Sequence, residues 1–197
     1  MEFGAVLRRR KMVRTFLDRP VEPETLRRIL ERGQRAPSAG YTQGFEFLVL
    51  EGPDETGRFW NALAPGEGGP GEGVRAAPVL IAPLASKRAY LDRYAEEDKG
   101  WTDRDESRWP MPYWYIDAAF ASMLVLLAAV DESLGALFFG LFPPRISAFR
   151  EAFGIPEEWD PIGVIALGHP SPSDPVASSA RNRPRRPLDD IVHRGRW

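Results

Sequence analysis

Ile116–Leu134 constrains the fold more than any other stretch of the chain. Ala118, Ala119, Phe120, Met123, Leu124, Leu126, Leu127 and Val130 run nearly all the way round a 3.6-residue helix, which leaves no polar face for water. Such a helix has to lie at the centre of the chain or pack against a second subunit, and Gly135 is the predicted stop. It is not a membrane span. Asp117 interrupts the apolar run that begins at Trp114, and the uninterrupted part is well short of the roughly 20 residues needed to cross a bilayer.

The other elements must be arranged around that helix. Apolar runs bounded by glycine and proline predict strands over Phe45–Leu50, Pro78–Leu84, Ala136–Phe142 and Pro161–Leu167. Helical spacing predicts helices over Glu2–Arg9, from Val21–Glu24 to Gly33, and over Pro53–Leu63, Lys87–Tyr94 and Pro143–Phe153. Gly66–Gly73 reads as a flexible loop. Glu96–Tyr115 is polar yet holds Trp101, Trp109, Tyr113, Trp114 and Tyr115, so it is either a lid over a site or a long loop anchored by half-buried rings. Ser171–Ala180 is a polar linker, and Arg181–Arg186 begins a basic tail that ends at Trp197.

Composition narrows the chemistry. A chain of 197 residues suits one domain, 1–197, with a sizeable core. The net charge of −2 supplies no global field for nucleic acid or an anionic membrane. The absence of cysteine excludes disulfides, thiolate nucleophiles and cysteine-bound metals, and it suits a reducing cytoplasm. The two histidines, His169 and His193, lack ligand spacing, so no metal is expected. No apolar segment follows the basic N-terminal residues, so no secretory leader is expected.

Two stretches carry candidate binding chemistry. Arg35–Leu50 reads R-A-P-S-A-G-Y-T-Q-G-F-E-F-L-V-L. Its small residues let backbone approach a flat ligand, and Gln43 offers an amide to read the ligand's edge; the alternative is an ordinary loop between helix and strand. Arg8–Phe16 alternates basic and apolar residues after Lys11, which suits an extended segment with Arg14 on one side and Val13 on the other. It is either a solvated basic run or an anion site, most simply for phosphate. Gly140, inside the third apolar run, marks a place where a ligand or another backbone comes close.

Taken together, four motifs resemble the FMN-dependent nitroreductase family. R-K-M-V-R-T-F is similar to its R-R-S-x-R-x-F, and A-P-S-A-G-Y-T-Q-G-F-E-F to its A-P-S-x-x-N-x-Q-P-W-x-F. P-I-G-V-I-A-L-G-H-P resembles its late strand with G-x-P, and R-R-P-L-D-D-I-V-H its closing R-x-P-L-x-E-x-V. The resemblance implies an α+β fold, a mixed central sheet surrounded by helices, in an intertwined homodimer with FMN between subunits and long helices at the interface. By position, Arg10, Lys11, Met12 and Arg14 fall in the motif that meets phosphate, ribityl and ring edge. Pro37, Ser38, Ala39 and Gly40 match the turn that meets the other subunit's flavin, with Gln43 nearby. Gly140, with Phe139 and Leu141, matches the backbone near the reactive nitrogen, and Arg183 and Arg185 match late cations that close over the phosphate.

The implied activity is oxidation of NADH or NADPH and transfer of electrons through FMN to a small electron-poor acceptor. No side-chain acid, base or nucleophile is required for it. Three positions depart from the family pattern: Met12 stands for serine, Tyr41 for asparagine, and Gly44-Phe45 for Pro-Trp. They leave open a weaker FMN site, a shifted potential or another flavin-like cofactor. A flavin carrier or sensor, and a dimeric interaction protein with a basic tail, are the rival readings.

Overall fold

The apolar stretch folds as one long helix, α6 (Tyr113–Asp131), in the computed structural model, which describes residues 1–63, 70–175 and 182–197. Ala118, Ala121, Val125 and Ala129 are fully buried along it. Val125 and Ala129 pack with α2 (Pro23–Gly33), which comes so close that a methyl group on Gly33 would lie 2.7 Å from Val125 Cγ2, while Ala118 and Ala121 pack with Phe45 and Tyr90. The opposite face is bare: Tyr115, Phe120 and Met123 are 40–48% exposed. A single chain therefore covers only part of the apolar circumference. The helix also ends earlier than its composition suggests. Ser133 adopts a left-handed conformation (φ 62°) and turns the chain, so Gly135 opens the next strand instead of capping the helix. Glycine is needed there for packing, because a Cβ would sit 2.7 Å from Val13.

Among the described residues five strands make one sheet: β1 (Phe45–Glu51), β2 (Val79–Ala85), β3 (Gly135–Phe139), β4 (Asp160–Pro161) and β5 (Val164–Gly168). The order is β1-β2-β5-β3, with β4 paired to β2, and every strand pair is antiparallel. A parallel bridge between Met12 and Ala136 extends the sheet beyond β3. The Pro161–Leu167 run is two strands, not one. Ile162 and Gly163 interrupt it, and a Cβ on Gly163 would strike the Phe138 ring at 2.4 Å. β3 stops at Phe139, which leaves Gly140 just outside the strand with nothing within 4 Å of its Cβ position.

Both faces of the sheet are covered, which explains why β2 reads as a continuous apolar run. Leu80 and Ala82 point to one side, among Phe59 of α3 (Gly52–Ala62) and Phe149 of α7 (Pro143–Phe153). Val79 and Ile81 point to the other, among Leu26, Ile29 and Val125 of α2 and α6. The α+β class expected from the sequence is the class observed.

Short pieces complete the chain. α1 (Phe3–Arg9) is capped by the Glu2 carboxylate. The glycine-rich stretch is partly ordered: Glu72–Arg75 forms one helical turn, α4, while residues 66–69 lie outside the described residues. α5 (Lys87–Tyr94) leads into the aromatic segment. There Tyr94 packs on Trp101 and Trp109 with ring centroids 4.9 and 4.5 Å apart, and Trp109 abuts Tyr90 and Trp114. The rings of this segment are anchored to α5 and to the start of α6. Residues 176–180 of the expected linker, and Arg181, lie outside the described residues, and residues 182–197 are exposed throughout.

Candidate functional site

The basic run is fixed by backbone pairing. Met12 bridges Ala136, the Val13 N–H donates to the Ala136 carbonyl, and Phe16 bridges Pro170. Alternation then does what the sequence implies: Val13 and Phe16 are buried while Arg14 is exposed. Met12 is partly buried and packs into the cores on both sides of the sheet. Its carbonyl accepts a hydrogen bond from Arg14 Nη1 at 3.0 Å. Methionine in place of serine therefore serves packing, and the position contributes its backbone.

Asp174, which the sequence did not single out, completes this half. Its side chain is only 1% exposed, and it accepts from Arg14 N (2.6 Å), Thr15 N (2.9 Å) and Lys11 Nζ (2.8 Å). Burial works against its charge. Lys11 and the two backbone N–H groups outweigh burial and hold the carboxyl below the usual carboxylate range. Lys11 is thus compensated within the chain. The guanidinium groups of Arg10 and Arg14 have no carboxylate partner among the described residues.

Arg14 opens onto a cleft of about 520 Å³ whose wall is Leu137–Phe142, with Gly71 and Val74 opposite. Phe139 is held flat by stacking on Trp60, with centroids 5.8 Å apart and planes 17° apart. An uncompensated arginine beside an apolar wall and the open backbone of Gly140 suits a flat ligand with an anionic group. The structure therefore brings Arg14 together with Phe139, Gly140 and Leu141.

The turn from Pro37 to Gln43 lies elsewhere. It runs into β1, at the edge of the sheet opposite to Met12. Counting strands, the two edges are separated by roughly 19 Å, four spacings of about 4.8 Å. One chain does not bring both halves to one small ligand. The turn holds three left-handed residues, Gly40 (φ 62°), Tyr41 (φ 54°) and Gln43 (φ 53°). Ser38 Oγ accepts from Gln43 N at 2.8 Å. Asp117 of α6 accepts from Ala39 N at 2.8 Å, and Arg93 of α5 donates to the Gly40 carbonyl at 3.0 Å. Arg93 is itself forked onto both carboxylate oxygens of Asp98 (2.6 and 2.8 Å).

Of the remaining departures, Gly44 has a local cause and Tyr41 has none in the fold. A Cβ on Gly44 would sit 2.5 Å from the buried Tyr90 ring, which leaves no room for proline. Tyr41 is 77% exposed, in a conformation that suits asparagine better. On the outer side of the turn, Tyr41 and Gln43 border a broad concavity of about 850 Å³ shared with Arg28, Arg32 and Arg35. Arg28 and Arg32 pair there with Glu132 and Asp131. Arg183 and Arg185 are exposed on the C-terminal arm. The arm's own contacts include an Arg186 hydrogen bond to the Asp190 carbonyl and a His193–Trp197 ring stack.

Comparison with known proteins points one way. The model of the nitroreductase family matches residues 7–169. A protein of Archaeoglobus fulgidus, provisionally named an NADH dehydrogenase/NAD(P)H nitroreductase, is 28% identical over 191 residues, 95% of this chain and 94% of its own. An NADPH-dependent oxidoreductase of Staphylococcus aureus is 23% identical over 98% of this chain and 72% of its own. The crystal structure of a provisionally assigned nitroreductase from Desulfovibrio desulfuricans, in complex with FMN, superposes with a TM-score of 0.71 at 26% identity. That match covers 98% of this chain and 95% of the other.

Proposed function

The chain belongs to the nitroreductase family, and we propose that it is an FMN-dependent NAD(P)H oxidoreductase that works as an intertwined homodimer. The observation that carries this reading is the division of the site. Arg10, Arg14 and the Phe139–Leu141 wall lie at one edge of the sheet, the Pro37–Gln43 turn at the other, and α6 leaves an apolar face bare. A second copy packed on that face, which exposes Phe120 and Met123, supplies the missing half to each site.

The residues fit an FMN. Arg10 and Arg14 would receive its anionic phosphate and the electron-rich edge of its ring. Arg183 and Arg185 of the arm would close over the phosphate, and Lys11 would hold its place through Asp174. FMN supplies the hydride-accepting and electron-donating chemistry when bound. The protein's own contribution is position and charge. The Arg14 guanidinium, steadied by the Met12 carbonyl, would stabilise negative charge on the pyrimidine edge of a bound flavin. The Phe139 ring and Gly140 backbone set a flat floor without a side chain in the way. The turn, with Ser38 and Gln43, would cover the ring from the partner. The segment 96–115, tied to the turn through Arg93 and Tyr94, forms a lid on the acceptor side. No side-chain acid or base is assigned, and the acceptor is a small electron-poor molecule such as a nitroaromatic, quinone or enone.

The test is the visible spectrum of the purified protein after FMN loading and desalting, followed by stopped-flow mixing with NADH and with NADPH. Retained flavin, bleached by either nucleotide, is the expected result. Retained flavin that neither nucleotide reduces points to a carrier or sensor. Failure to retain flavin removes the cofactor assignment.

A further inference from the structure

Asp117 is the one charged side chain within the apolar body of α6, and the mechanism above does not use it. It is 3% exposed. A single carboxylate oxygen accepts both the Tyr90 hydroxyl at 2.6 Å and the Ala39 N–H at 2.8 Å. Burying a carboxylate costs free energy unless it is hydrogen-bonded, and alanine serves the neighbouring buried positions Ala118 and Ala121. Helix packing alone therefore does not call for an acid at this position. The acid is aimed at a segment 78 residues away in sequence.

That segment needs external support. Tyr41 and Gln43 are non-glycine residues held in the left-handed region beside Gly40, and such strain persists only where the surroundings over-determine it. The surroundings here are Tyr94 packed on Gly40, Arg93 on the Gly40 carbonyl, and Asp117 on the Ala39 amide. Of the three, only the Asp117 contact comes from the helix whose bare face is the proposed subunit interface. The Tyr90 hydroxyl, itself sealed in the core, fixes where the carboxylate points.

We propose that Asp117 is a positioning residue for the flavin-facing turn: oriented by Tyr90, it fixes the Ala39 amide and so aligns the Pro37–Gln43 backbone against the partner subunit's isoalloxazine ring. The proposal rests on the flavin reading given above. Its signature is that the ring, not the phosphate, senses the change.

The experiment compares wild type, Asp117→Ala, Asp117→Asn and Tyr90→Phe as full-length protein. It measures affinity for FMN and for riboflavin, which lacks the phosphate, together with the bound-flavin absorption band, the midpoint potential and the thermal midpoint of flavin-free protein. Asp117→Ala is expected to weaken both flavins alike, by about ten-fold, for the loss of the one hydrogen bond that reaches the turn, and to shift the absorption band. Asp117→Asn keeps an acceptor oxygen and is expected to restore both. An Asp117→Ala protein with a lower thermal midpoint but unaltered affinities, band and potential overturns the proposal and leaves Asp117 a core hydrogen bond. If Asp117→Ala does not fold, Tyr90→Phe decides. A parallel loss for both flavins supports the proposal, and wild-type affinities with a wild-type band overturn it. Wild-type protein that takes up neither flavin overturns the flavin reading and the proposal together, which separates that failure from failure of the proposal alone.

Discussion

The basic run Arg10–Arg14 and the turn Pro37–Gln43 each receive a hydrogen-bonding aspartate from a distant part of the chain, in different surroundings. Asp174 holds the run with a lysine and two backbone N–H groups beside an exposed surface. Asp117 holds the turn with a phenol and one backbone N–H inside an apolar core. Asp174 pairs with Lys11, and among the described residues the guanidinium groups of Arg10 and Arg14 have no carboxylate partner. The turn has no charged residue of its own from Pro37 to Gln43. One half is thus built to attract an anion and the other to present a shape. A ligand that needs both must be anionic at one end and flat at the other.

The comparison breaks most sharply in a mixed dimer. Arg14→Ala disables the charged half. Gly40→Val disables the shaped half, because a side chain at φ 62° is strained and a Cβ there meets the Tyr94 ring at 2.6 Å. Each variant alone is expected to bind FMN about 10- to 100-fold more weakly, the range for loss of a charged hydrogen bond or of a fixed turn. A purified heterodimer of the two variants has one site with both lesions and one with neither, so it is expected to bind about one flavin per dimer. Heterodimers without any high-affinity site would mean that each chain builds its site alone. A smaller effect is expected from Gly73→Ala. A Cβ on Gly73 would meet the Arg14 carbonyl oxygen at 2.6 Å, so the run must shift. The expected cost is about 1–3 kcal/mol by denaturant unfolding, as for other overpacked sites, with weaker FMN binding and an undisturbed turn.

Legibility in the sequence divides along the same line. The apolar runs gave β1, β2, β3 and β5, and helical spacing gave α2, α5 and α7, because these signals are local. Boundaries moved where a neighbour intervened. Gly135 looked like a helix stop and is instead the point of contact with Val13, and the Pro161–Leu167 run is cut by the Phe138 ring at Gly163. Asp117 was visible as an interruption of an apolar helix, which is the signal of a buried polar group needing a partner. The partner, Ala39, was not visible, since nothing local encodes a contact 78 residues away. Asp174 lies in the Ser-Pro-Ser-Asp start of the polar linker, 160 residues from the amide it caps. Met12, Tyr41 and Gly44 could be seen to depart from the family pattern, but only their surroundings explain two of the changes: Met12 packs into both cores and Gly44 clears the Tyr90 ring.

The charged half also responds to acid. Asp174 is held below the usual carboxylate range in the folded chain, so its contribution is present above its unfolded pKa and is lost as pH falls through the lower folded value. The protection factors of the Arg14 and Thr15 amides, corrected for the intrinsic slowing of exchange in acid, are therefore expected to fall progressively as pH drops below the ordinary aspartate value of about 4. Asp174→Asn should flatten that dependence. Protection at these amides that does not change on acidification would show that the bridges to Ala136 and Pro170 hold the run without the carboxylate.

The smallest effect belongs to the third departure, which the structure shows to be a cost and not an adaptation of the fold. Tyr41 sits at φ 54° with 77% of its surface exposed, so its ring gains little from packing while its Cβ is strained. Asparagine tolerates that conformation, and Tyr41→Asn is expected to stabilise flavin-free protein by up to about 1 kcal/mol. The measurement is a pair of urea titrations, without and with FMN. A gain in both means that the tyrosine does nothing for the ligand. A gain without FMN that vanishes with it means that the tyrosine ring touches the partner's flavin or its substrate. In that case the shape-presenting half of the site reads more than the flavin ring.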